Sequence, residues 1–281
     1  MIHSFLMIGQ SNMAGRGFLN DVPPIYNERI KMLRNGLFQF MEEPINYDRS
    51  IAGVGLAASF AAAWCKKNKR DEIGLIPCAE GGSSLDDWSV DDALFANAIA
   101  QTKLAQRIST LDGIIWHQGE AESHSGKYRD YYDKFFVIIE RLRQVLDVPE
   151  IPLIIGGLGD YLGHGIMGGY FNEYSQVNEE LKRFAHSHNN CYYVTAEGLT
   201  CNPDGIHLNA VSQRIFGLRY YEAYDQKCHI LGPVRNENSA NEIDNDRPHT
   251  KAEKAQMINV LFFGGKISFE EYQQKMSQIG D

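Results

Sequence analysis

Ile8-Gly9-Gln10-Ser11-Asn12-Met13 closes an apolar run that begins at Ile2. A buried strand that stops abruptly in Gly-polar-Ser-polar presents the serine at the rim of a sheet. A serine hydroxyl is a weak nucleophile on its own. It needs a histidine to take its proton, a group to orient that histidine, and donors for the oxyanion that forms. Taken alone, a serine after glycine at a strand end also reads as a turn or a helix cap, so the rest of the chain must supply the other parts.

Outward from this stretch, apolar runs alternate with helical patterns. Strands are expected at residues 2–8, 73–78, 112–117, 152–156 and 191–195, and helices at 55–68, 94–108, 127–146, 170–186 and 209–224. In the third of these helices Tyr128, Tyr131, Phe135, Ile138, Ile139 and Leu142 share one face. This alternation predicts an α/β fold of three layers, a five-stranded, mostly parallel sheet covered by helices on both faces. The segment 29–40 breaks the rhythm and reads as a hairpin or an excursion. In such folds ligands collect at the carboxyl ends of the strands. Ser11, the loop Ala79-Glu80-Gly81-Gly82-Ser83-Ser84, the turn Gln118-Gly119-Glu120, and Asn202-Pro203-Asp204-Gly205-Ile206-His207 all fall there.

These loops hold the missing parts. Asp204 and His207 share one loop, so the carboxylate can accept from one ring nitrogen while the other faces the serine. Gly81 and Gly82 let a backbone N–H approach a substrate oxygen, the Ser11 N–H is a second donor, and Gln118 adds a side-chain amide. Alternation along the strand puts Trp116 and Gln118 on one face and His117 on the other, which makes His117 a structural residue. Glu120 and Glu122 read as loop supports, with Glu120 a candidate neighbour of the catalytic histidine.

Composition excludes several classes. The net charge of −9, with no cluster of Lys and Arg among aromatics, argues against a nucleic acid or an anionic membrane as partner. No apolar run approaches the roughly 20 residues of a membrane helix. Met1-Ile2-His3 runs straight into the first strand without a leader pattern, so a cytoplasmic location is expected. The five cysteines are odd in number and unpaired in spacing, which fits neither a disulfide framework nor a zinc knuckle. Paired-His, P-loop and dinucleotide motifs are lacking, and no metal or cofactor is expected. The chain divides into a main domain at 1–232, a polar linker at 233–249 and a helical hairpin at 250–281. Capping-box spacings at Thr250/Glu253 and Ser268/Glu271 start the two short helices. The hairpin cannot bury its apolar residues alone, so it is expected to dock on the main domain or on a second subunit, giving a homo-oligomer. It resembles the short C-terminal helical module found at the ends of many bacterial proteins.

Gly9-Gln10-Ser11-Asn12-Met13, Gly81-Gly82-Ser83-Ser84 with Trp88, Trp116-His117-Gln118-Gly119-Glu120 and Asp204-Gly205-Ile206-His207 together resemble the successive blocks of the SGNH-hydrolase superfamily. Within it they are most similar to the sialate O-acetylesterase and acetyl-xylan-esterase branch, the carbohydrate esterase family 6 type. The resemblance spans about residues 1–225. It implies a flavodoxin-like α/β/α fold and a metal-free serine esterase that takes acetyl groups from a small acetylated sugar or oligosaccharide. Carried over residue by residue, it makes Ser11 the nucleophile, His207 the general base and Asp204 its orienting acid, with Ser11, Gly81, Gly82 and Gln118 as oxyanion donors. Glu120 becomes an alternative or additional acid, because some relatives use the carboxylate after Gln-Gly. The wording Gln-Gly-Glu-Ala-Glu-Ser departs from the commoner Gln-Gly-Glu-Ser-Asp at Glu122. Gln10, Trp88 and His164, the last in the glycine-rich stretch 156–169, are expected to line the substrate. A short-chain acyl esterase or thioesterase on a non-sugar substrate is the alternative enzyme, and a silent binding protein the alternative from another class.

Overall fold

The computed structural model describes residues 1–243 and 247–279. Parts of the expected linker and the last two residues of the hairpin lie outside them.

The sheet has seven strands rather than five, in the order β3-β2-β4-β1-β5-β6-β7. These are β1 (Ile2–Gly9), β2 (Ile30–Arg34), β3 (Leu37–Phe40), β4 (Glu72–Pro77), β5 (Thr110–His117), β6 (Leu153–Gly156) and β7 (Cys191–Val194). The two additional strands are the segment that broke the rhythm. It folds as a hairpin, with β2 parallel to β4 and β3 antiparallel at the edge. Only β2 is substantially buried, so the pair carries exposed polar positions that a search for continuous apolar runs passes over.

β1 sits between β4 and β5, parallel to both. The chain leaves it towards β2 and β4 on one side, then crosses to β5, β6 and β7 on the other. That reversal makes the carboxyl end of β1 the switch point where a crevice opens. Alternation along β1 divides the interior in two. Phe5 and Met7 join the core under α2 (Leu56–Lys67) and α6 (Ala210–Gln226), while Leu6 and Ile8 join the one under α3 (Ala93–Ala105), α4 (Tyr131–Leu146) and α5 (Tyr174–Ser187). All four side chains are buried; at roughly 1.5–3 kcal/mol for each large apolar side chain, this one strand anchors both layers. The four-residue α1 (Ser11–Ala14) follows β1 directly.

Beyond α6 the chain straps back over the domain. Arg219, buried in α6, donates to Glu237 at 2.8 and 2.7 Å, and Ala240 and Ile243 are buried. The stretch expected as a solvated linker is therefore held down in part by an ion pair and apolar contacts. Helices α7 (Lys251–Phe263) and α8 (Phe269–Ser277) follow, each opened by the expected capping box. Their mutual contact is aromatic, with Phe262 4.6 Å from Tyr272 between ring centroids.

Glu253 ties the base of the hairpin to the domain. It is almost wholly buried and accepts from Arg247 at 2.8 and 2.6 Å, from the Thr250 N–H at 2.9 Å and from the Glu28 N–H at 2.9 Å. Burial pushes its carboxyl up, but these donors outweigh that and hold it down at about 2, against an ordinary 4.5. A depressed carboxylate stabilises the fold above its unfolded pKa, and the contribution drains away as pH falls from 4.5 towards about 2. Limited proteolysis should accordingly cut near the hairpin faster at pH 3 than at pH 6. Glu253→Gln should cut fast at both, and an unchanged pH response in that variant would remove Glu253 as the cause.

Candidate active site

The end of β1 is clamped on both sides. The Gln10 N–H donates to His117 O at 2.9 Å and the Glu80 N–H to Gly9 O at 3.1 Å, which joins the loops after β5 and β4 to the serine turn. Gly9 stands at φ +134°, and a Cβ there would lie 2.0 Å from the His117 carbonyl oxygen. Only glycine fits this crossing.

Ser11 opens α1 with its Oγ 3.0 Å from His207 Nε2. The other ring nitrogen, His207 Nδ1, lies 2.8 Å from Asp204 Oδ2. Asp204 Oδ1 accepts from the backbone N–H groups of Ile206 and His207 at 2.9 and 3.0 Å. A carboxylate facing Nδ1 requires the proton there, which leaves the Nε2 lone pair for the serine hydroxyl. Burial raises the Asp204 pKa, but the two backbone donors and the His207 ring more than offset this and hold it below the ordinary value. The orienting carboxylate is thus charged at neutral pH.

The expected oxyanion donors separate. Gly81 spends its N–H on Asp48 Oδ2 at 2.8 Å, and Asp48 is held there by buried Arg16 at 2.5 Å. Gly82, at φ +80°, and Ser11 have N–H groups with no acceptor among the described residues. Gln118 is fully buried: its amide donates to Glu122 and to Ser83 O, and its Oε1 accepts from Tyr131. A carboxylate one turn away takes the donor that sequence reasoning assigned to the substrate. Trp88 likewise belongs to the core, its indole N–H 3.0 Å from Ser83 Oγ and its ring 5.7 Å from that of Trp116. His164 is exposed and does not border the cavity above Ser11, whereas Gln10 does.

The sequence matches the family described as carbohydrate esterase, sialic acid-specific acetylesterase, over residues 1–226. The chain belongs to that family. This makes it an ester hydrolase, and the esterase is similar over 245 residues, at 27% identity, to a probable carbohydrate esterase of Arabidopsis thaliana, a match that covers 78% of this chain and 89% of the relative. An X-ray structure of an Arabidopsis thaliana protein superposes with a TM-score of 0.72 at 25% identity, over 80% of this chain and 98% of that one. The crystal structure of NanS shares the fold, with a TM-score of 0.62 at 18% identity over 80% and 97%.

In the esterase a cavity of about 570 Å³ lies over Ser11 and His207, walled by Gly82, Arg49, His124 and Tyr170. Tyr170 OH and His124 Nε2 are 3.0 Å apart, and their ring centroids lie 4.3 Å apart with the planes tilted by 35°. Sequence reasoning missed this pair because the serine, glycine and histidine blocks drew attention elsewhere, and Tyr170 sits just beyond the loop that was expected to contribute His164.

Glu120 makes no hydrogen bond to His207 among the described residues. Its Oε1 accepts from Asn12 Nδ2 at 2.5 Å and stands 3.7 Å from His117 Nε2. Burial raises its pKa, but the facing His117 ring and the Asn12 amide outweigh that and hold the carboxyl below its ordinary value. Its link to the histidine runs through Asn12, which accepts the Leu208 N–H at 2.9 Å and donates to Ile206 O at 3.3 Å, on either side of His207. Glu122 is a brace of a similar kind, accepting from the Leu85 N–H at 2.8 Å and from Gln118. Asn12→Ala should therefore lower stability by about 1–3 kcal/mol through unpaired buried groups. By loosening the His207 loop it should also cut kcat by as much as about 100-fold. Denaturant midpoints and kcat measured on one preparation check both; a stability loss with kcat unchanged would reduce Asn12 to a structural residue.

Proposed function

We propose that the protein is a serine esterase that removes O-acetyl groups from carbohydrates through an acetyl-enzyme. The observation that carries this reading is the unbroken line from Ser11 Oγ to His207 Nε2 at 3.0 Å and from His207 Nδ1 to Asp204 Oδ2 at 2.8 Å. His207 takes the Ser11 proton as Oγ attacks the acetyl carbonyl. The tetrahedral oxyanion is held by the Ser11 and Gly82 N–H groups. When the C–O bond to the sugar breaks, the leaving alkoxide takes the proton from His207. Water then attacks the acetyl-Ser11 ester with His207 again as base, releasing acetate. Asp204 orients the imidazole and offsets the charge it gains.

The substrate is an acetylated xylo-oligosaccharide or sialic acid. A cavity wall of Arg49, Tyr170 and His124 offers hydrogen-bond donors and a ring face, which suits a polyhydroxyl ring better than an acyl chain. All five cysteines are free, which accords with a reducing, cytoplasmic setting. Brief mixing with an aryl acetate followed by acid quench should leave an acetyl group on the Ser11 peptide in mass spectra, preceded by a burst of phenol. Acetate release from acetylated xylo-oligosaccharide and from O-acetyl sialic acid should exceed release of butyrate or octanoate from matched esters. Faster octanoate release would sink the sugar reading, and acetyl groups on another residue would sink the mechanism.

A further inference from the structure

Beside the cavity over Ser11 lies a second one of about 560 Å³, which has the same imidazole as one of its walls. Arg16, Ile51 and His207 belong to the walls of both, while Asp204 and Asn202 belong to the second alone. Two loops build it. Residues 16–20 and 49–53 are pinned together by a two-way backbone bridge, Gly17 N–H to Val54 O at 3.0 Å and Val54 N–H to Gly17 O at 2.8 Å, and by Gly53 N–H to Gly15 O at 3.1 Å. The Asn202 amide joins this frame by donating to Arg16 O at 2.8 Å.

The wall is chemically mixed. Phe18, Leu19 and Ile51 are 53%, 46% and 64% exposed, an unusual amount of apolar surface to leave in water beside a catalytic group. Among them stand polar groups, including two buried atoms without a hydrogen-bond partner, Asn202 Oδ1 and Arg16 Nε. Of the polar groups in this wall the Asp204 carboxylate is 44% exposed and open to a ligand hydroxyl. Apolar faces interleaved with donors and acceptors fit a pyranose, whose C–H face is apolar and whose edge carries hydroxyls. They fit an acyl chain poorly, since it would leave Asn202, Asp204 and Arg16 against hydrocarbon.

We propose that this second cavity is a subsite for the sugar ring adjoining the acetylated one, so that the enzyme acts on oligosaccharides in preference to single sugars. The inference rests on the esterase reading above. In that reaction the leaving oxygen receives its proton from His207, so the ring that bears it stands against the imidazole. The imidazole is also a wall of the second cavity, and a ring linked to the acetylated one passes there onto Phe18 and Ile51.

The test compares Phe18→Ala and the double variant Phe18→Ala/Leu19→Ala, both residues walls of the second cavity alone, with the parent on three substrates: an aryl acetate, an acetylated monosaccharide, and the corresponding acetylated disaccharide. The sugars are used in the xylose series (methyl xyloside and xylobiose) and in the sialic acid series (sialic acid and sialyl-galactose). The parent should turn over a disaccharide with the higher kcat/KM. Phe18→Ala should raise KM for that disaccharide roughly two- to tenfold, with kcat little changed, as expected when uniform binding is lost. Aryl acetate and monosaccharide kinetics should not move, and the double variant should abolish the disaccharide preference. Equal losses on mono- and disaccharide, an unaltered preference in the double variant, or a loss confined to octanoyl esters would each overturn the subsite. If the parent lacks aryl-acetate activity, the esterase reading has failed. The subsite is then judged by titrating xylobiose and sialyl-galactose into parent and Phe18→Ala, where equal affinity for both proteins would overturn it.

Discussion

Ser11→Ala should lower kcat for aryl acetate by roughly 10⁴- to 10⁶-fold, the loss that follows removal of a triad serine. What survives would come from oxyanion donors and binding, since the Ser11 and Gly82 N–H groups are backbone and persist in the variant. The substitution removes one oxygen from a buried turn whose backbone is fixed by Gln10, Glu80 and His117, so the fold should be unaffected. A chelator should change neither protein's rate. Equal rates in parent and variant would refute Ser11 as the nucleophile, and a parental rate lost to chelator would refute a metal-free reaction.

Asp204→Asn should cost almost as much, about 10⁴-fold in kcat. The reason is local. Asp204 Oδ1 accepts from two backbone N–H groups while Oδ2 faces His207 Nδ1. An asparagine would keep its carbonyl oxygen on the two N–H groups and so turn its NH₂ towards Nδ1. That nitrogen must then accept, the ring proton moves to Nε2, and the base no longer has a lone pair for Ser11. Loop geometry and stability would be nearly retained, so kcat should fall with little movement of the denaturation midpoint. Glu120→Gln provides the contrast. Its carboxylate meets Asn12 and His117 rather than the catalytic ring, and its effect should be that of a loosened loop, well short of Asp204→Asn. A larger loss from Glu120→Gln than from Asp204→Asn would reverse the assignment of the acid.

The legible parts of this molecule were those written in side-chain pattern. Runs such as 5–8 and 114–116 are apolar throughout because both faces of those strands are covered, and they mark the strands. The serine turn and the Asp204–His207 loop were legible because chemistry restricts the residue types there. The β2–β3 segment read as a hairpin or an excursion, but its place in the sheet was not legible, since Lys31, Arg34 and Gln39 dilute the apolar signal. The oxyanion donors were only half legible. Whether Gly81 or Gly82 has a free N–H depends on Asp48, more than thirty residues earlier in the chain, reaching one of them. Gln118 and Trp88 show the same limit: a side chain at a strand end can face the cavity or the core, and only the partners Glu122, Tyr131 and Ser83 decide which.

Ser11 and His207 lie 196 residues apart in the chain and 3.0 Å apart in space. Ser11 leaves the ribosome well before His207, which belongs to the loop before the last helix of the sheet domain. At roughly 5–20 residues per second of synthesis, about 10 to 40 s separate them. On the proposed mechanism the serine lacks its base throughout that interval, and a chain cut short before His207 should be inert towards esters. Hydrolysis begins only when the two ends of the domain close on each other, so the onset of acetate release during synthesis would time the final step of folding.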